Sequence, residues 1–160
     1  MEQQTVTHGS FEIERTYAHR ASKVFEYFSN IEKKKRWFLE GPKNEVVSYA
    51  LDFQVGGTEK SRWKWSGGGP IEAGTLMGND TVYLDIVENR RIVLAYSMLM
   101  GNYRFSASLL TFELIPNGES TTVRVTEQGA YFEHSDGAEM RKDGWNALLE
   151  MLETTLNAYD

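Results

Sequence analysis

Cysteine is absent from the 160 residues, and proline and histidine occur only three times each. Without a thiol the chain has no disulfide framework, no thiolate nucleophile and no thiolate-held zinc or iron–sulfur cluster, which suits a reducing compartment. His8, His19 and His134 stand far apart in sequence, without the short spacing of a metal-ligand pair, so no metal is expected. No apolar run approaches the ~20 residues that span a bilayer. The polar opening, Met1 to His8, also lacks the basic and apolar parts of a secretory signal, so a soluble cytoplasmic protein with no membrane partner is expected. Positive charge is in deficit, with 17 Lys and Arg against 23 Asp and Glu, and a net charge of −6 repels nucleic acid. Neither Gly56-Gly57 nor Gly67-Gly68-Gly69 is followed by the Lys-Ser/Thr of a phosphate loop or the spacing of a dinucleotide site, so no cofactor is expected. His134-Ser135-Asp136 gathers three triad residue types, but no G-x-S-x-G elbow exists, and the segment reads as the polar entry to the last helix.

What is present is apolar and periodic. Hydrophobic residues make up 41% of the chain and aromatics 12%, enough for one core at this length, so a single domain over 1–160 is expected. Phe11, Ile13 and Tyr17 alternate with polar residues as in a half-buried strand, with Arg15 on the apolar side of the pattern. Ser22 is placed to cap a short helix carrying Val24, Phe25 and Phe28. Asn30 is placed to cap a second helix that runs through Lys33-Lys34-Lys35-Arg36 to Trp37-Phe38 and stops at Gly41-Pro42. Strands are predicted near 44–53, 57–65, 71–86, 91–100, 103–115 and 121–131. Turns fall at 67–70, 88–90 and 101–102, and at Pro116-Asn117-Gly118, the clearest hairpin signal. From about Glu139 the period becomes helical, with Trp145, Leu148, Leu149, Leu152 and Leu156 on one face. The expected class is α+β, with helices on one side of an antiparallel sheet of about seven strands.

This order of elements resembles the helix-grip fold of the START-like SRPBCC superfamily, in which a curved antiparallel sheet wraps a long C-terminal helix. Phe11-x-Ile13-x-Arg15-x-Tyr17, Val24-Phe25, Arg36-Trp37 and Asp52-Phe53-x-x-Gly56-Gly57 look like the opening pattern of one branch, homologous to the C-terminal domain of the activator of heat-shock-protein ATPase. Asp85-Ile86, Arg91-Ile92-Val93, Thr126-Glu127-Gln128-Gly129 and Gly144-Trp145 look like its later landmarks, and the resemblance runs from about Gly9 to Leu156, within a domain core expected over about 9–157. The chain departs from the branch at Phe38, often a second tryptophan there, and at Val55, often proline. The resemblance implies a cavity between sheet and long helix for a small apolar or aromatic molecule.

Strand parity places Glu59, Ser61, Trp63 and Trp65 on one face, opposite Thr58, Lys60, Arg62 and Lys64, and puts Val123, Val125 and Glu127 together. Two carboxylates facing an apolar interior need partners. The simplest expectation is an ion pair with Arg15 or another basic group. The alternatives are orientation of a ligand and, as in the superfamily's cyclases and hydratases, general acid–base catalysis, for which Glu59 and Glu127 are the candidates. The expected cavity lining is Trp37, Glu59, Ser61, Trp63, Trp65 and Tyr83, with Tyr96, Met98, Phe105, Glu127, Trp145 and Leu149. Ile92, Leu94, Tyr96 and Met98 form one period-two set, and Phe105, Ala107 and Leu109 another; core packing is the competing explanation for all of them. The basic run at 33–36 reads as a solvated helix face, as a contact for an acidic partner protein or as the rim of a ligand portal. A co-chaperone role beside a heat-shock ATPase and a homodimer complete the alternatives.

Overall fold

The computed structural model describes residues 5–42 and 44–160. Strand β1 (Thr7–Tyr17) is followed by helices α1 (Ala21–Ser29) and α2 (Ile31–Phe38). Strands β2 (Asn44–Leu51), β3 (Thr58–Trp65), β4 (Leu76–Val87), β5 (Arg91–Met100), β6 (Tyr103–Asn117) and β7 (Ser120–Tyr131) then lead into α3 (Gly137–Ala158). The strands form one antiparallel sheet in the order β1-β7-β6-β5-β4-β3-β2. It is a meander whose last strand returns to pair with the first, the α+β helix-grip architecture expected from the pattern of elements.

The local chemistry explains the boundaries. The Asn30 side chain accepts a hydrogen bond from the Lys33 backbone N–H at 3.1 Å, capping α2 as anticipated. Ser22 does not cap α1: that position falls to Arg20, which makes no side-chain cap bond, and Ser22 lies inside the first turn. The predicted strand at 71–86 begins only at Leu76. Residues 66–75 form a loop in which Gly67, Gly68, Gly69 and Gly74 all have positive φ, and the Gly74 N–H binds back to the Trp65 carbonyl at 2.6 Å.

Gly56-Gly57 is a reversal into which a side chain does not fit. Gly56 has φ +83°, and a Cβ at Gly57 would lie 2.2 Å from the Asp52 carbonyl oxygen. The same two glycines bond the Tyr83 backbone, with Gly56 N–H to its carbonyl at 2.8 Å and its N–H to the Gly57 carbonyl at 3.0 Å. The tight turn thereby fixes where the Tyr83 ring enters the interior.

The core lies between the concave sheet face and α3. Arg141, Trp145, Leu149, Leu152 and Leu156 of α3 are buried, facing Ile13, Ile92, Leu94, Leu110, Phe112 and Val125 of the sheet. Trp37 stacks edge-on against Phe28 and donates from Nε1 to the Tyr27 carbonyl at 2.7 Å, locking α2 to α1. Arg15 stays on the inward side of β1, half-buried, and donates to the Asn146 carbonyl of α3 at 3.3 Å.

Parity holds along β3 and β7 but breaks in β6. Met98 pairs with Ser106 while Leu99 pairs with Arg104, so Phe105 is bulged out of the ladder. Phe105 and Ser106 both turn inward. Beyond the bulge Ser108, Leu110 and Phe112 face the core, while Ala107 and Leu109 face outward. The period-two set of Phe105, Ala107 and Leu109 is therefore split by a one-residue slip that flips every later side chain.

Candidate functional site

Two polar clusters are sealed into the interior, each around one of the carboxylates singled out by parity. Glu59 is 2% exposed. Its Oε1 accepts from Lys34 Nζ at 2.8 Å and from the Tyr83 hydroxyl at 2.6 Å, and its Oε2 accepts from the Tyr49 hydroxyl. Lys34 belongs to the basic run, but its side chain is buried, with Nζ 4.7 Å from the centre of the Phe38 ring. The expectation of a solvated basic face fails most fully at this residue, while Lys33, Lys35 and Arg36 are half-buried. On an eight-residue helix Lys34 shares the inward side with Trp37, three positions on.

Glu127 is fully buried. Tyr96 donates to its Oε1, while Tyr131 and Ser108 donate to Oε2 at 2.6 and 3.2 Å. Its cation is Arg141, with NH1 3.5 Å away, rather than Arg15. Arg141 also forks onto Asp136, from Nε at 2.7 Å and NH2 at 2.8 Å, and reaches Ser106 and Tyr96 at 2.9 and 3.0 Å. Burial disfavours the guanidinium charge, yet Tyr96, Asp136 and Glu127 outweigh it and hold the group more firmly protonated than an ordinary arginine. Burial and then Glu59 push the Tyr49 and Tyr83 hydroxyls above the usual phenol range, and burial with Glu127 does the same for Tyr131. Gly129 makes the Tyr131 contact possible. Lying between Glu127 and Tyr131 on the same strand face, it carries no side chain, and a Cβ there would sit 2.5 Å from the Tyr131 hydroxyl.

Beside these clusters lie two cavities. The larger, of about 770 Å³, lies between the end of β3, the 66–75 loop and the entry to α3, with Trp65, Met77, Met100 and Phe105 on its wall. The smaller, of about 210 Å³, is lined by Phe38, Trp63, Asn79, Tyr96, Trp145 and Leu148. Met98, Asp136 and Met140 line both, so the two adjoin. Methionine is flexible and polarisable, and a wall with four of them adapts to shapes that stiffer side chains would reject.

Of the residues expected on the wall, Trp63, Tyr96, Met98 and Trp145 line the smaller cavity, and Trp65, Met98 and Phe105 the larger. Trp37, Tyr83 and Leu149 lie in the packed core, while Glu59, Ser61 and Glu127 are buried behind the wall. Sequence reasoning passed over Asn79, Met140 and Arg141, and read Asp136 only as part of the polar entry to the last helix. A signal for Arg141 existed: it stands four residues before Trp145 on the apolar stripe of α3, where a cation requires a buried partner. Among the described residues no acidic or histidine cluster suits a metal, and no helix is long and apolar enough to cross a membrane.

Comparison with known proteins places this geometry. A solved protein from Rhizobium loti is 39% identical, over 94% of this chain and 99% of that one, with a TM-score of 0.82. An uncharacterised protein from Rhizobium leguminosarum is 31% identical over 99% and 100% of the two chains, with a TM-score of 0.88. A protein from Chromobacterium violaceum, at 17% identity and a TM-score of 0.73, shares the fold. No functionally curated protein matches. Residues 18–157 match the family described as Activator of Hsp90 ATPase homolog 1-like protein, and the chain belongs to that family.

Proposed function

We propose that the chain binds a small hydrophobic or aromatic molecule in the paired cavities between the sheet and α3. The observation that carries this reading is the larger cavity, whose volume of about 770 Å³ falls within the ~300–1,000 Å³ range of ligand pockets. Its wall is dominated by methionine and aromatic side chains, with a few polar groups from residues 134–136 at one side. Glu59 and Glu127 accept hydrogen bonds on both carboxylate oxygens and line neither cavity, so the reading rests on binding rather than on acid–base catalysis.

Native mass spectrometry of protein purified under non-denaturing conditions, compared with its denatured mass, tests the proposal. A non-covalent adduct of a few hundred daltons supports it, and the mass identifies the compound class. No adduct, combined with no thermal shift against a panel of neutral aromatic and polyketide-like compounds, would overturn it.

A further inference from the structure

One wall of the smaller cavity holds a polar group that no neighbour satisfies. Asn79 is 7% exposed, lines this cavity, and its Oδ1 has no hydrogen-bond partner among the described residues. Its cross-strand neighbour Ser61 is fully buried, and Ser61 Oγ is likewise without a partner. Tyr83 and Glu59 bond each other, and Met77 packs against the larger cavity. An orphaned amide oxygen in an apolar wall is unfavourable unless a bound molecule completes it.

The rest of the wall decides the chemistry of that molecule. Arg141 is the only Lys or Arg among the described residues lining either cavity. A guanidinium has five N–H donors. Here Nε and NH2 bind Asp136, NH2 also binds Ser106, and NH1 binds Tyr96 and faces Glu127 at 3.5 Å. Four of the five donors are thereby hydrogen-bonded and the cation is paired with two carboxylates, so its charge is already committed to the protein. Asp136, which lines both cavities, adds a negative charge where an anionic head group would have to sit.

Given that the cavities hold an apolar ligand, we infer that this ligand carries an uncharged hydroxyl, received by the Asn79 amide, and that carboxylate-ended molecules are excluded. The hydroxyl donates to Oδ1. The aromatic wall of Trp63, Tyr96 and Trp145 holds the flat body of the molecule.

The test is calorimetric titration of three probes of one skeleton, β-naphthol, naphthalene and β-naphthoate, at neutral pH against the wild-type chain and Asn79→Leu. Leucine nearly matches asparagine in shape and removes the amide, so the variant is expected to fold at least as stably as the parent. Asn79→Ala serves as the second variant should leucine disturb the strand. β-Naphthol should bind about tenfold more tightly than naphthalene to the wild type, and the two should converge to within about twofold in either variant. β-Naphthoate should bind more weakly than naphthalene. Binding of β-naphthoate as tight as β-naphthol, or a naphthol preference that survives both substitutions, overturns the inference while leaving the cavity reading intact. Failure of all three probes to bind, with thermal melts showing a folded chain, overturns both.

Discussion

Removing Arg141 exposes how the interior is held together. Arg141→Met keeps an unbranched apolar stem in contact with the apolar stripe, but strips the cation from Glu127, from Asp136 and from the hydroxyls of Ser106 and Tyr96. Asp136 is 27% exposed at its side chain and can turn to water; Glu127, at 0%, cannot. Three hydroxyl donors, from Tyr96, Ser108 and Tyr131, remain on Glu127, but no countercharge does. Breaking one side of a buried ion pair costs about 3–5 kcal/mol. At this chain length that lowers Tm by about 6–20 °C, at 2–4 °C per kcal/mol. Adding Glu127→Gln removes the stranded charge, so the double variant should recover part of the loss instead of adding to it. Urea unfolding of all four members of the cycle measures the coupling directly. A loss below about 1 kcal/mol in Arg141→Met, or strictly additive losses in the double variant, would refute the claim that Arg141 neutralises Glu127.

The basic run offers an internal control. Lys34→Met should cost about 3–5 kcal/mol because it strands Glu59, whereas Lys33→Met, which breaks a partly exposed pair with Glu26, should cost about 0–1 kcal/mol; chemical denaturation compares them. The two glycines Gly129 and Gly144 should respond with opposite sign. Gly129→Ala forces the Tyr131 ring off Glu127 and should destabilise by about 1–3 kcal/mol. A Cβ at Gly144 within α3 meets nothing within 4 Å, so Gly144→Ala should stabilise by about 0.5–1 kcal/mol. The tyrosines Tyr49, Tyr83, Tyr96 and Tyr131 have folded-state pKa values raised above their ordinary 10.0. The stability they contribute is fully present below pH 10 and lost as pH rises beyond it. Absorbance at ~295 nm should therefore show these phenols ionising only together with unfolding, and separate early ionisation would contradict their placement.

The fold was legible because it is written in periods. Alternation in β1, β3 and β7, the helical stripe from Trp145 to Leu156 and the asparagine cap of α2 are local signals that tertiary packing reinforces. What escaped is what locality cannot encode. The Phe105 bulge is set by how β6 must bend against β5, and nothing in the alternation of 103–115 announces the slip. Burial of two carboxylates followed from parity, but their cations arrive from other elements, Lys34 from α2 and Arg141 from α3. Arg15 satisfied the same arithmetic on paper and instead caps a carbonyl of α3. The cavity wall divides in the same way. Inward strand positions such as Trp63, Tyr96 and Met98 could be read from parity, whereas Asp136 and Met140 reach the wall through the path of the chain into α3.

The central claim is a ligand cavity between sheet and helix, and Met98 is the residue through which to test it, because it lines both compartments. The measurement is a fluorescence titration with N-phenyl-1-naphthylamine, a neutral dye that brightens on leaving water, on the wild type and on Met98→Trp, with melting curves to confirm that both are folded. The account predicts saturable one-to-one binding to the wild type and its loss when the indole fills the space. No fluorescence rise with the wild type, or an unchanged titration with Met98→Trp, would contradict it.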